Sequence, residues 1–201
     1  MSDASAPFKQ SSFPLAGDYL ALADGIAHSN RMPIANFSDN CNRQEQTEWC
    51  WAAVSQALLA ATTHERKSQS EIARQVTGLS LPLSNVPKVI DFVFTKLGLQ
   101  YQGPRGMVAH GQQFLTSNIA SNIPVAITIA WNDDNGGHVI VACGWDSATE
   151  HICLFDPNSV QDSSDIVKWV PISEMTNYLE GSRHQMRGRW ASGYAVGNGA
   201  G

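Results

Sequence analysis

Three residues far apart in this sequence have the types and order that acyl transfer needs. One is a cysteine at the start of a helix, the next a histidine at the start of a strand, the last an acid on the strand after it. Cys50 opens the run CWAAVSQALLAAT. Backbone N–H groups and the helix dipole at such a position favour the thiolate, the attacking form of cysteine. Position alone is a weak signal, because most free cysteines in helices are small buried hydrophobes. Gln44 stands six residues earlier. Its side-chain amide, with the Cys50 backbone N–H, would hold the negative charge that develops on an attacked carbonyl. Gln46 competes for that role, and the run NRQEQTE that holds both also reads as an ordinary solvated loop.

His138 follows Gly136 and Gly137 and precedes the apolar run VIVAC, a loop-to-strand junction from which an imidazole can reach a cleft. Asp156 lies on the next strand. Side chains alternate along strands, so a hairpin with an even register sum puts 138 and 156 on one face, whereas an odd sum or a bulge would separate them. On one face, the acid would orient the imidazole and stabilise its cation. Asn158 has the same parity and is the rival third member; Asp-Pro-Asn is also an ordinary strand terminator. Trp49, Trp51 and Trp131 are candidates for a groove that receives substrate, with core packing as the plainer alternative.

Periodicity outlines the elements that must position these groups. Trp51, Val54, Leu58 and Ala61 recur at helical spacing in a run that is apolar nearly all round, which predicts a buried central helix starting near Trp49. Ser68 and Glu71 fit a capping box for a second helix, with Gly78 as its stop. A third helix is expected over 87–97, with Ser84 or Asn85 near its start and Gly98 after its end, and a fourth over 112–120. Strands are expected over 124–131, 138–145, 151–157, 165–170 and 190–196, with a short helix at 173–179. Residues 1–35 read as an extension with one short helix at 19–26, and 36–201 as a single domain. Helices first and strands second make an α+β layout: an N-terminal helical half with a buried central helix, packed on a C-terminal antiparallel sheet.

Order and spacing together match a known pattern. QEQTEWCWAA, followed far downstream by GGHVIVACGWD and LFDPN, resembles the papain-like cysteine proteases. The WCWAA form and the Asp-Pro ending are most similar to a bacterial branch of avirulence-effector proteases, staphylococcal papain-like proteases and bacteriocin-leader peptidases. The resemblance implies a papain-like fold and hydrolysis of peptide bonds by thiolate attack through an acyl-enzyme. It assigns Cys50 as nucleophile, His138 as base and acid, Asp156 as the orienting residue and Gln44 as the oxyanion donor. It implies no metal or organic cofactor, a protein or peptide as substrate, and a host or target-cell protein as the target if the chain is a secreted bacterial effector or toxin. Two departures stand out. Plant and lysosomal members use Asn as third member, whereas Asp156 fits better here and Asn158 stays open. Those enzymes also carry a Trp shortly after the third member, and the next one here, Trp169, is too distant to carry over. Two rival readings remain: a peptidoglycan amidase, endopeptidase or cysteine-dependent acyltransferase, and a catalytically silent papain-like binding module.

Composition narrows the setting. The net charge is −5, and the 13 basic residues are scattered, which leaves no footprint for nucleic acid. No apolar run is long enough to cross a bilayer. The start MSDASAPFKQSS lacks a basic segment followed by an apolar block, so synthesis in the cytoplasm is expected, with any export by a specialised system without a cleavable signal. The extension would then be an export signal, a pro-segment or a disordered tail. Four cysteines without CxxC spacing do not make a disulfide framework. Cys143 and Cys153 sit on neighbouring expected strands, where a disulfide is conceivable and two buried thiols are the better expectation. His151 with Cys153 is a poor zinc motif.

Overall fold

The run that opens at Cys50 becomes α1 (Cys50–Thr62), buried at positions 51–55 and 57–59, as its nearly uniform apolar surface requires. These coordinates come from a computed structural model that describes residues 31–34, 37–79, 85–132, 136–158, 166–173, 178–179 and 187–197. α2 (Gln69–Thr77) carries the expected capping box: the Ser68 side chain accepts from the Glu71 N–H, and the Glu71 carboxylate takes the Ser68 N–H. Gly78, at φ 69°, ends it in the left-handed conformation that glycine adopts without strain. α3 (Ile90–Leu97) begins three residues later than its sequence suggests. Asn85 does not cap it; that side chain is spent on the loop before Cys50, while Ser84 lies outside the described residues. α4 (Met107–Ala120) begins five residues earlier than expected, because fully buried Met107 anchors the extra turn against β8. Tertiary packing here outweighs local preference.

The strands are β1 (Arg31–Pro33), β2 (Tyr101–Gly106), β3 (Val125–Trp131), β4 (Gly137–Asp146), β5 (His151–Phe155), β6 (Val167–Pro171), β7 (Tyr178–Leu179) and β8 (Arg187–Val196). They form an antiparallel sheet in the order β2-β8-β3-β4-β5-β6, with β1 alongside β4 and β7 alongside β8. β1 falls in the stretch that composition marks as an extension. β2 is unannounced by its sequence, YQGPRG, yet such residues are tolerated on an edge, where a ladder can break; its register slips between Gln102 and Arg105. The helix expected at 173–179 is corrected at its end: Tyr178 and Leu179 pair with Gly188 and Arg187, and 174–177 lie outside the described residues, as does the helix expected at 19–26.

The α+β layout is otherwise as anticipated. α1 and α4 pack on the sheet, α2 packs on α1, and α3 packs on both α1 and α2. β4 is buried along 138–146, so both of its faces are covered. The consequence for chemistry is spatial: the N-terminal end of a buried helix and the first residues of a buried strand meet at one edge of the molecule.

Candidate active site

Cys50 is the first residue of α1, after an N-cap, Trp49, that supplies no side-chain cap. The first N–H groups of a helix lack the usual partner four residues back; here the Trp49 carbonyl takes those of Ala52 and Ala53, so the Cys50 N–H is the natural donor to an anion. Cys50 is partly exposed, whereas Cys41, Cys143 and Cys153 are buried; all four are free thiols. Burial raises the Cys41 thiol pKa well above its ordinary value. A hydrogen bond with Cys153, with burial behind it, does the same for Cys143. Of the four, Cys50 is the sulfur that a reagent can reach.

His138, the second residue of β4, is 7 % exposed. Its Nε2 lies 2.7 Å from Asp156 Oδ1, and the Cys50 side chain is near enough to the ring to help raise its pKa. With Nε2 committed to the acid, Nδ1 is the nitrogen left to face the thiol. Asp156 is 1 % exposed, and its Oδ1 also accepts the Asn158 backbone N–H at 3.0 Å. The carboxylate that holds His138 is therefore that of Asp156, and Asn158 contributes its main chain to the same oxygen.

The way these two residues come to share a face corrects a sequence expectation. At the turn, Asp146 pairs with His151 and Trp145 with Ile152, an odd register sum that would put 138 and 156 on opposite faces. A bulge between Ala142 and Gly144 inserts Cys143, after which Ala142 pairs with Leu154 and Val141 with Phe155. The sum is then even. The bulge aligns the pair that it was expected to separate.

The electrostatics follow from this geometry. Burial alone would lower the His138 pKa, but the charge and hydrogen bond of Asp156, followed by the Cys50 side chain, hold it well above the ordinary value. A raised folded-state value means that the folded protein binds this proton more tightly than the unfolded chain, where histidine titrates near ~6.5. The stabilisation is full below that value and is lost as pH rises through the folded one. Urea denaturation across this range should show the native protein losing stability relative to His138→Gln as pH rises. A difference that stays flat, or grows, with pH would contradict the pairing.

Gln44 is held in the loop before α1. Its Nε2 donates to the carbonyls of Thr47 at 2.6 Å and Gln46 at 3.0 Å, its backbone N–H donates to Pro157 O at 3.0 Å, and its Oε1 is buried without a hydrogen-bond partner. Gln46 is exposed and enters the site through its carbonyl. A cavity of about 300 Å³ opens beside this loop, lined by Arg43, Gln44, Gln46, Thr47, Pro157 and Asn158 among others. A larger one, about 390 Å³, lies by Ala61 and Thr62, at the opposite end of α1 from Cys50.

The tryptophans divide. Trp49 and Trp51 are 2 % and 1 % exposed and present almost no surface to a substrate. They pack against each other, with Trp51 Nε1 donating to Val86 O, so they belong to the core that seats the helix. Trp131 stacks on the His138 ring, centroids 6.0 Å apart and planes 14° apart. Register explains it: Ile129 faces His138 across the β3–β4 ladder, and Trp131 is the next residue of β3 on that face.

Asn85 and Gln69 are the participants that sequence reasoning misses. Asn85 accepts the Glu48 N–H and donates to Thr47 Oγ1, which pins the loop before Cys50. His151 is turned to the Thr149 carbonyl. Among the described residues, no three His, Cys, Asp or Glu side chains gather as a metal site.

Comparison with known proteins gives a family and a fold. The sequence model of the family described as "Papain-like cysteine protease AvrRpt2" matches residues 34–173. The solved structure of digestive procathepsin L 3 from the larval midgut of Tenebrio molitor is similar, with a TM-score of 0.52 and 10% identity, over 96% of this chain and 73% of that one. At that identity the likeness speaks for the fold alone. No curated protein matches the sequence. Since the family match takes in most of the chain, including the helix that begins at Cys50 and the hairpin that carries His138 and Asp156, this chain belongs to the papain-like cysteine protease AvrRpt2 family and is a cysteine protease.

Proposed function

We propose that this protease cleaves peptide bonds through an acyl-enzyme on Cys50, with His138 as base and acid and Asp156 as the residue that orients it. The observation that carries the assignment is His138 held at 2.7 Å by buried Asp156, with the partly exposed Cys50 near enough to raise its pKa. The Cys50 sulfur attacks the substrate carbonyl, and an S–C bond forms. The carbonyl oxygen takes up the negative charge against the Cys50 backbone N–H and the Gln44 carboxamide. That carboxamide has two hydrogens, and serving the oxyanion requires turning one away from the loop carbonyls. His138 gives its proton to the leaving nitrogen as the C–N bond breaks. It then takes a proton from water, whose oxygen displaces Cys50 and releases the acid. Asp156 keeps the imidazole in the productive tautomer throughout.

Labelling tests the reading. The protein is incubated with a thiol-directed epoxide, weighed intact and mapped by peptide mass. A single adduct on Cys50 is expected, with Cys41, Cys143 and Cys153 unmodified. No adduct, or one spread over the buried thiols, would return the chain to the binding-module reading.

A finer inference is that the protease acts as an exported bacterial effector on a protein of another cell, with the part of the 1–35 extension that precedes β1 serving as export signal or pro-segment, since β1 itself pairs with β4. It rests on the motif resemblance. Recovery of the protein from the medium of a producing bacterium, with a cytosolic marker retained inside, is the expected result; strict retention would exclude export.

A further inference from the structure

Gln69 is an oddity of α2. It lies on the helix's apolar stripe with Ile72, Ala73 and Val76, at the spacing of one face, and is 1 % exposed. An apolar residue would be cheaper there, because a buried carboxamide is costly unless its polar atoms are bonded. They are. Gln69 Nε2 donates to Arg43 O at 2.7 Å, and Gln69 Oε1 accepts the Glu45 N–H at 2.9 Å. One side chain thus grips the peptide groups on both sides of Gln44. The amide orientation is dictated, since a flipped group would set N–H against N–H and oxygen against oxygen. Gln56 of α1 braces the grip: its Oε1 lies 3.5 Å from Gln69 Nε2 and 3.2 Å from Asn42 Nδ2, while its own Nε2 donates to Lys67 O at 2.8 Å. From the other side, Pro157 O takes the Gln44 N–H.

We infer that Gln69 is a positioning residue for peptide hydrolysis, fixing the backbone at Gln44 so that its carboxamide can reach the oxyanion. The inference rests on the oxyanion reading of Gln44. The carboxamide must turn to serve, so what Gln69 preorganises is the main chain from which it turns; an oxyanion donor is worth on the order of 10²–10³ in kcat, and one carried on a looser loop should lose part of that.

The test compares Gln69→Met, which keeps the length and removes both hydrogen bonds, with Gln69→Glu, which keeps the acceptor for Glu45 N–H and loses the donor to Arg43 O. Steady-state kinetics, affinity for a peptide aldehyde and alkylation by iodoacetamide are measured on each. The aldehyde adds to the thiol and leaves an oxygen in the oxyanion position, whereas alkylation needs the thiolate alone. The expected result for Gln69→Met is a kcat lowered roughly tenfold or more with KM kept, aldehyde affinity lowered in proportion, and alkylation at the native rate, with Gln69→Glu in between. Native kcat and aldehyde affinity in folded Gln69→Met would overturn the proposal, as would a parallel fall in alkylation, which marks general damage. If Gln69→Met does not fold, Gln69→Glu decides on the same readouts. Gln44→Ala separates the two levels: a native kcat there removes the oxyanion reading itself, whereas a slow Gln44→Ala beside a native Gln69→Met removes Gln69 alone.

Discussion

Asp156→Ala is expected to lower kcat/KM on a peptide substrate by on the order of 10²–10⁴-fold, as loss of an orienting acid does in comparable triads, and to cost about 3–5 kcal/mol of stability, as removal of one member of a buried pair does. Both effects involve Oδ1. Asp156 Oδ1 holds the His138 ring and the Asn158 N–H together in a buried place, so alanine leaves a buried imidazole and a main-chain donor without their acceptor. Asp156→Asn separates geometry from charge. It keeps an acceptor for both donors and should recover much of the stability. It cannot hold the His138 proton as the carboxylate does, so the alkaline limb of its pH–rate profile should move to lower pH. Urea denaturation and kcat/KM across pH report the two. Native kinetics in Asp156→Ala, beside an inactive Asn158→Ala, would transfer the role to Asn158.

Trp131→Ala is the second large effect. The ring is 6 % exposed, and removing a buried tryptophan typically costs about 3–5 kcal/mol. Its place is narrow: one face lies on His138, and at Gly188 of β8 even a Cβ would come within 2.7 Å of Trp131 Cε3. Wedged there, the indole covers one side of the imidazole. It also meets a protonated imidazole with a π face. Trp131→Ala should therefore lower kcat as well as stability, and Trp131→Phe, which keeps a flat apolar face, should recover most of both. A destabilised Trp131→Ala with native kcat and a native pH profile would reduce the residue to core packing.

These two residues also mark how far the chemistry can be read without coordinates. Cys50, His138 and Asp156 are legible because helix starts, strand starts and parity are local properties, and the geometry does bring the three together. Trp131 is legible only in type. In plant and lysosomal members a tryptophan follows the third residue, whereas here the indole on the imidazole comes from the strand before His138, and only the β3–β4 register reveals this. Asn85 looks like a helix start and instead pins a loop. Gln69 had a readable signal, an amide on an apolar stripe, but its partners lie across the fold and nothing local names them. β2 escapes because an edge strand next to a register slip does not need strand-forming residues.

The bulge at Cys143 gives the hairpin something like a reading frame. Beyond it toward His138, each residue of β4 is one step out of phase with the frame set at the turn. Losing that one residue would invert the phase of everything from Gly137 to Ala142 relative to β5, moving His138 away from Asp156 and exchanging the buried sets on β4 at the same stroke. A matching loss within β5 would restore the pair but leave the strand's packing inverted. Length changes confined to 147–150 carry no such penalty, since the ladder on either side keeps its phase. A change of chain length at the tip of this hairpin therefore leaves the register intact, whereas one along its sides shifts the phase of the core and that of the His138–Asp156 pair together.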